Sequence, residues 1–114
     1  MANPPPYRIA AKETILETAE AKVSVMTLDP GQAIPPHSHG QVTDTTFCLA
    51  GLAAVQLYDP SERLRLTVGD RTAVPPGRVH SVVNIGTIPC RLLLVQGPGR
   101  YDFQPTVLAD DNPH

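Results

Sequence analysis

Thirteen prolines and eight glycines interrupt this chain of 114 residues. They lie between short apolar or alternating runs, and they leave little uninterrupted sequence for helices, because proline removes a backbone donor and breaks a helix. Most of these runs end at a Gly or Pro, sometimes after one intervening residue. The pattern predicts an all-β domain whose strands lie at 23–28, 45–49, 53–58, 63–68, 71–74, 79–85 and 90–96.

Segment 12–22 is the exception, because it is rich in helix formers. Its apolar residues form no continuous stripe, and Glu13, Glu17 and Glu20 leave little face to bury. We expect a strand, a turn and a second strand here, since tertiary context overrides propensity. The pairs Pro35-Pro36 and Pro75-Pro76 each remove two backbone donors, so we expect them where strands bend or enter the mouth of a barrel.

Size and composition limit the remaining classes. The length predicts one domain, assigned to residues 7–109, with residues 1–6 and 110–114 as extended or disordered termini. A net charge of -2 and nine scattered Lys and Arg residues argue against a nucleic-acid partner. No apolar stretch is long enough to span a membrane and no secretory signal is visible, so we expect a cytoplasmic protein with Cys48 and Cys90 as free, buried thiols.

Three histidines and one aspartate have a spacing that suggests shared chemistry. His37 and His39 are followed after four residues by Asp44, and His80 comes three residues after Gly77. Three imidazoles and a carboxylate are the ligand set of an open transition-metal site. Residues two apart on a strand share a face, so His37 and His39 can converge on one ion. Asp44 is five residues beyond His39, so a break in register is required, which we expect at Gly40-Gln41.

The two segments resemble the two motifs of the cupin superfamily, which are small double-sheet jelly-roll barrels. The first motif is glycine, five residues, His-x-His, three or four residues, glutamate, six residues and glycine. The second is glycine, five residues, Pro-x-Gly, two residues, histidine, three residues and asparagine. This chain fits every spacing from Gly31 to Gly51 and from Gly69 to Asn84, with 17 residues between the motifs. The resemblance implies an all-β jelly-roll barrel (a double-stranded β-helix).

The resemblance also implies that His37, His39 and His80 bind a divalent transition metal: iron, manganese, nickel, copper or zinc. The fourth ligand comes from position 44, where the family has glutamate and this chain has Asp44. The shorter side chain draws the carboxylate back by ~1.5 Å. Direct or water-mediated ligation by Asp44 is the prediction, and a three-histidine site is the alternative.

Strand parity predicts the lining of a substrate pocket. If Asp44 points inward, so do Thr46 and Cys48, and if His80 points inward, so do Arg78 and Val82. For Cys48, a packed core residue is the alternative. Cupins include dioxygenases, sugar isomerases, decarboxylases and non-enzymatic binders, and the metal motif does not choose among them. Since no further His or Tyr is well placed as an acid–base group, we favour a metal-dependent, dioxygenase-like enzyme for a small oxygen-rich molecule. A ligand-binding or regulatory barrel and a sugar isomerase are the alternatives.

Small barrels of this family usually dimerise, often by adding an N-terminal strand to the neighbouring sheet. Residues 7–11 are the candidate strand here, because pairing would cover an otherwise open sheet edge. The expected partners are therefore a small-molecule ligand and a second copy of the chain.

Overall fold

The computed structural model describes residues 8–107, and their regular structure consists entirely of β-strands. The strands are β1 (Ala11–Glu17), β2 (Lys22–Leu28), β3 (Ala33–Ser38), β4 (Thr43–Ala50), β5 (Ala53–Leu57), β6 (Glu62–Leu66), β7 (Arg71–Val74), β8 (His80–Asn84), β9 (Cys90–Gly97) and β10 (Gln104–Pro105). Within residues 8–107, no helix could cross a membrane. The proposed termini, 1–6 and 110–114, and the outermost residues of the proposed domain lie outside the described part.

The strands form two antiparallel five-stranded sheets. One sheet has the order β1-β2-β9-β4-β7 and the other the order β10-β3-β8-β5-β6. Buried and less buried residues alternate along β2, β4 and β9, as expected for strands with one face on a core. Both sheets contribute to one apolar cluster, with Met26, Leu92 and Leu94 from the first and Val55 and Val82 from the second. The predicted jelly-roll architecture is confirmed.

Segment 12–22 forms the predicted strand, turn and strand. Strand β1 pairs antiparallel with β2, and Thr18 closes the turn between them. The Thr18 hydroxyl oxygen accepts hydrogen bonds from the backbone N–H groups of Glu20 (3.1 Å) and Ala21 (3.2 Å). The helix-forming composition is overridden because β2 offers hydrogen-bond partners to one side of the β1 backbone along most of its length.

Strand β3 is an element that the strand prediction missed, since it contains Pro35-Pro36. Its pairing with β8 shifts register between Ile34 and His37, so both prolines lie at an irregularity in the ladder. The expected bend is therefore present, but it lies inside a strand rather than at its end. The second pair, Pro75-Pro76, follows β7 directly and leads into a turn.

Buried Asn84 ties the end of β8 to its surroundings. Its side-chain Nδ2 donates to the carbonyls of Leu28 and Ile88 (both 2.9 Å), and its Oδ1 accepts from the N–H of Gly86 (2.8 Å). The backbone N–H of Gly31 donates to the Asn84 carbonyl (3.2 Å). These bonds join the beginning of the first motif to the end of the second, which gives Asn84 a structural role. Cys48 and Cys90 are free and buried, as predicted.

Candidate metal centre

The fold brings His37, His39, Asp44 and His80 together as a four-residue cluster. Each offers one ligand atom, and these atoms all lie within 4.8 Å of one another. His37 on β3 is the direct cross-strand partner of His80 on β8. After β3 the chain bends at Gly40 and Gln41 before it enters β4, which is where the register break was expected. All four residues are buried, with exposed fractions between 1% and 4%.

Each of the three imidazoles in the cluster is held by a backbone carbonyl. Nδ1 of His37 donates to the carbonyl of Pro35 (2.7 Å), and Nδ1 of His39 donates to that of Asp102 (2.6 Å). Nδ1 of His80 donates to the carbonyl of Arg78 (2.9 Å). Because a carbonyl can only accept, these bonds assign the proton to Nδ1 and leave Nε2 as the atom that could bind a metal in each neutral ring. Outer hydrogen bonds of this kind fix the orientation of histidines that bind metals.

The Asp44 carboxylate lies against two of these rings. Its Oδ2 is 3.1 Å from Nε2 of His39 and 3.0 Å from Nε2 of His80. Its Oδ1 is buried and has no hydrogen-bond partner among residues 8–107. With neutral rings, the atoms that converge here are all acceptors, and such a set is stable only around protons or a cation. The donor set therefore fits a divalent metal ion.

Burial and charge act in opposite directions on the titration of the cluster. Burial lowers the pKa of His37 to about 4, which favours the neutral ring that binds metal. Burial also opposes protonation of His39, but hydrogen bonds to Asp44 and to the Asp102 carbonyl outweigh it and raise the pKa of His39. Burial disfavours the Asp44 carboxylate, yet His39 and His80 hold the pKa of Asp44 well below its usual range. Asp44 is thus available as a carboxylate ligand.

A segment close to the end of the described chain covers the cluster, and the sequence did not reveal it. The Phe103 ring stacks on His37 with centroids 4.5 Å apart, and the Tyr101 ring lies 5.3 Å from that of His39. Asp102 anchors this segment, because its Oδ1 accepts from the N–H of Gly40 at 2.7 Å. We call Tyr101 and Phe103 the aromatic cover. Only the scarcity of aromatic residues could have drawn attention to them.

A cavity of about 10 Å³ adjoins the cluster, with room for about one water-sized body. Of the four pocket residues predicted by parity, Val82 lines this cavity. Thr46 and Cys48 are buried, as inward-facing residues of β4 should be, but neither lines it. The Arg78 guanidinium does not line it either, since it donates to the carbonyls of Tyr58 (2.9 Å) and Pro60 (2.8 Å). The lining also includes Lys12, Met26, Ile34, His37, His39, Asp44, Leu94, Gln96, Tyr101 and Phe103.

Comparison with known proteins gives a consistent family assignment. A family model described as "Cupin domain" matches residues 24–96. A germin-like protein (subfamily 2 member 1) of Arabidopsis thaliana is 30% identical over 104 residues, which cover 86% of this chain and 48% of that protein. The chain thus spans about half the length of this curated relative. A Klebsiella pneumoniae protein with a double-stranded β-helix domain has a TM-score of 0.76 and 30% identity, with 86% and 84% of the two chains covered.

Two more distant structures share the fold alone. An oxalate oxidase in complex with glycolate has a TM-score of 0.75 at 16% identity, over 83% of this chain and 54% of the other. Oxalate decarboxylase of Bacillus subtilis, described with Mn(II) centres, has a TM-score of 0.69 at 21% identity, over 75% of this chain and 24% of the other.

Proposed function

This chain belongs to the cupin domain family, and from that premise we propose that it is a metal-dependent enzyme that acts on a small, oxygen-rich organic anion. His37, His39, Asp44 and His80 are the proposed metal ligands. The observation that carries the proposal is the convergence of four buried ligand atoms within 4.8 Å, with every Nδ1 engaged by a carbonyl. Iron, manganese, nickel, copper and zinc all accept this donor set. Manganese is the first ion to test, because the Bacillus decarboxylase of the same fold is described with it.

The proposed reaction class is oxidation or decarboxylation of a small carboxylate, with dioxygenase-like chemistry as the finer proposal. A bound redox-active ion would polarise a coordinated oxygen and take part in chemistry with dioxygen. The residues of the chain orient and shield that site. The carbonyl of Asp102 holds the His39 ring, and the aromatic cover limits access of water to the cluster. The oxidase and decarboxylase of similar fold support an acid of oxalate or glycolate size.

The test of this proposal is turnover by protein loaded with manganese(II) or iron(II). Oxalate and glycolate are supplied separately, while an oxygen electrode and product analysis follow consumption. We expect one of them to be consumed by the loaded protein and not by His80→Ala. Arg91→Gln, a change at an exposed position of β9, is the matched control and should keep full activity. Loaded protein that consumes neither acid would contradict the proposed substrate class.

A barrel that binds metal and ligand without turnover is the second candidate. The cavity lining favours it, because apart from the proposed ligands it holds only Lys12 and Tyr101 as side chains that could transfer a proton. Calorimetric binding of glycolate with no product after prolonged incubation would establish this alternative over the enzyme.

We also propose a homodimer formed through the edge of the first sheet. All seven residues of β1 are exposed, and the apolar side chains of Ile15 and Leu16 are 58% and 51% exposed. Strand β1 occupies the end of its sheet, so one edge is open for pairing within the described chain. Of the strand 7–11 expected from the sequence, residue 7 is outside the described range and Ala11 begins β1. A monomer in sedimentation at micromolar concentration would contradict the dimer.

A further inference from the structure

The chain has two lysines, Lys12 and Lys22, and both lie over the Tyr101 ring, which is 5.3 Å from the ring of His39. Lys12 is in the lining of the cavity, together with His37, His39 and Asp44. The Nζ atoms of Lys22 and Lys12 lie 4.1 Å and 5.9 Å from the centre of the Tyr101 ring. Two cations from strands β1 and β2 therefore converge on the Tyr101 ring of the aromatic cover.

The strand register connects this lysine pair with the cluster. Asp44 on β4 is opposite Gln96 on β9, and Gln96 is opposite Lys22 on β2. Directly paired residues in antiparallel strands project to the same face. Asp44, Gln96 and Lys22 thus form one inward-facing row that runs from the cluster toward the sheet edge.

Gln96 adds an unsatisfied polar group at the centre of this row. The residue is 3% exposed and lines the cavity, and its Oε1 is buried without a hydrogen-bond partner among residues 8–107. A buried amide of this kind is costly unless a ligand or solvent satisfies it. The amide oxygen can accept from a hydroxyl, and the amide nitrogen can donate to a carboxylate. The orientation of the amide decides which of the two faces a ligand.

We propose that Lys12, Lys22 and Gln96 form an anion subsite, which holds the carboxylate of a small organic acid beside the metal cluster. The inference rests on the proposed function, because the subsite would select the substrate of that same centre. Two adjacent ammonium groups repel each other, and a carboxylate between them relieves the repulsion and accepts charge-assisted hydrogen bonds. Partial burial and the neighbouring Lys22 also lower the pKa of Lys12, as expected where two cations are held together.

The small cavity is compatible with this role because the lysine side chains are long and mobile. Each ammonium group can swing from the Tyr101 ring toward an entering carboxylate without a change in backbone. The subsite would therefore select anionic ligands. An acid binds through both the metal and the lysines, whereas its neutral amide loses the contribution of the lysines.

The experiment measures calorimetric affinity for glycolate and for neutral glycolamide, on protein with and without manganese(II). The variants are Lys12→Met, Lys22→Met and the charge-retaining Lys12→Arg, with Arg91→Gln as the control for loss of an exposed positive charge. Each methionine variant should bind glycolate at least roughly tenfold more weakly, since a hydrogen bond to a charged group is lost. Glycolamide affinity and metal content should not change, and Lys12→Arg and Arg91→Gln should resemble the wild type.

Failure of the subsite and failure of the metal proposal give different results. Lysine variants that hold manganese and bind glycolate with wild-type affinity would overturn the subsite and leave the metal centre intact. Wild-type protein that takes up neither manganese nor iron, nickel, copper or zinc, yet binds glycolate through the lysines, would support the subsite and contradict the metal proposal. Wild-type protein that binds no glycolate in either form would overturn the subsite.

Discussion

Nδ1 of His39 donates a hydrogen bond of 2.6 Å to the backbone carbonyl of Asp102, although 63 positions separate the two residues. The Asp102 side chain fixes the same segment in place through the N–H of Gly40 at 2.7 Å. A segment near the end of the described chain thus sets the orientation of one proposed metal ligand. The segment that carries the aromatic cover therefore also holds the His39 ring of the cluster in place.

Asp102→Ala should weaken metal binding while the fold remains intact. Loss of the bond to Gly40 loosens the segment that carries the carbonyl partner of His39, and outer-sphere changes of this kind lower metal affinity roughly 10–100-fold. Competition with a chromophoric chelator measures the affinity. Asp70→Ala is the matched control, because Asp70 accepts comparable bonds from Thr67 in a different turn (both 2.9 Å). Equal affinities in the two variants would rule out a positioning role for Asp102.

His39→Ala and His80→Ala should each lose most of the bound metal. The remaining three donors bind a divalent ion much more weakly, and we expect affinity to fall by more than about a hundredfold. The β-rich circular dichroism spectrum should not change, because the strands are held by backbone ladders and a separate apolar cluster. Loss of the fold in both variants would show instead that these histidines serve structure first.

Asn84→Ala should destabilise the barrel by about 2–3 kcal/mol, since it removes the partner of the buried carbonyl of Leu28 and of partly buried backbone groups at Ile88 and Gly86. Urea unfolding measures the loss. Ser81→Ala, on the same strand, is the comparison, because its partly buried hydroxyl bonds only the Tyr58 hydroxyl among the described contacts. A loss below about 0.5 kcal/mol at Asn84 would contradict its closing role.

Gly51→Ala and Gly77→Ala separate backbone strain from steric exclusion. Both glycines have positive φ, +78° and +80°, so alanine is strained at either position by about 1–2 kcal/mol. At Gly51 a Cβ would also lie 2.8 Å from the carbonyl oxygen of Pro89, whereas at Gly77 no atom lies within 4 Å. Thermal unfolding should show the larger loss for Gly51→Ala, and equal losses would mean that the Pro89 contact relaxes freely.

Most of the fold could be predicted from the sequence because turn residues and alternating strands coincide. The predicted segments match β2, β4, β5, β6, β7, β8 and β9 to within about two residues. Strand β3 was missed because Pro35-Pro36 gives no strand signal. The strand forms nonetheless, because its register against β8 shifts at the two prolines. Segment 12–22 was predicted correctly only by setting aside its helix propensity.

The candidate site could be predicted where its residues are close in sequence or follow a fixed spacing. Parity predicted Arg78 in the pocket, but its guanidinium donates to the carbonyls of Tyr58 and Pro60 and does not line the cavity. Parity could not reveal the aromatic cover or the lysine pair, since these residues come from opposite ends of the described chain. The aromatic cover depends on the long-range pairing of β10 with β3, and the lysine pair depends on the local pairing of β1 with β2. Neither pairing has a sequence signature.

Elemental analysis by mass spectrometry, on wild-type protein purified without a histidine tag and on Asp44→Ala, tests the four-residue metal centre most directly. The account predicts near-stoichiometric transition metal in the wild type and loss of most of it in the variant, because Asp44 Oδ2 lies within 3.1 Å of Nε2 of His39 and of His80, two of the proposed ligand atoms. Full retention in Asp44→Ala would reduce the centre to three histidines. Wild-type protein that holds no metal and takes up none on reconstitution would contradict the account.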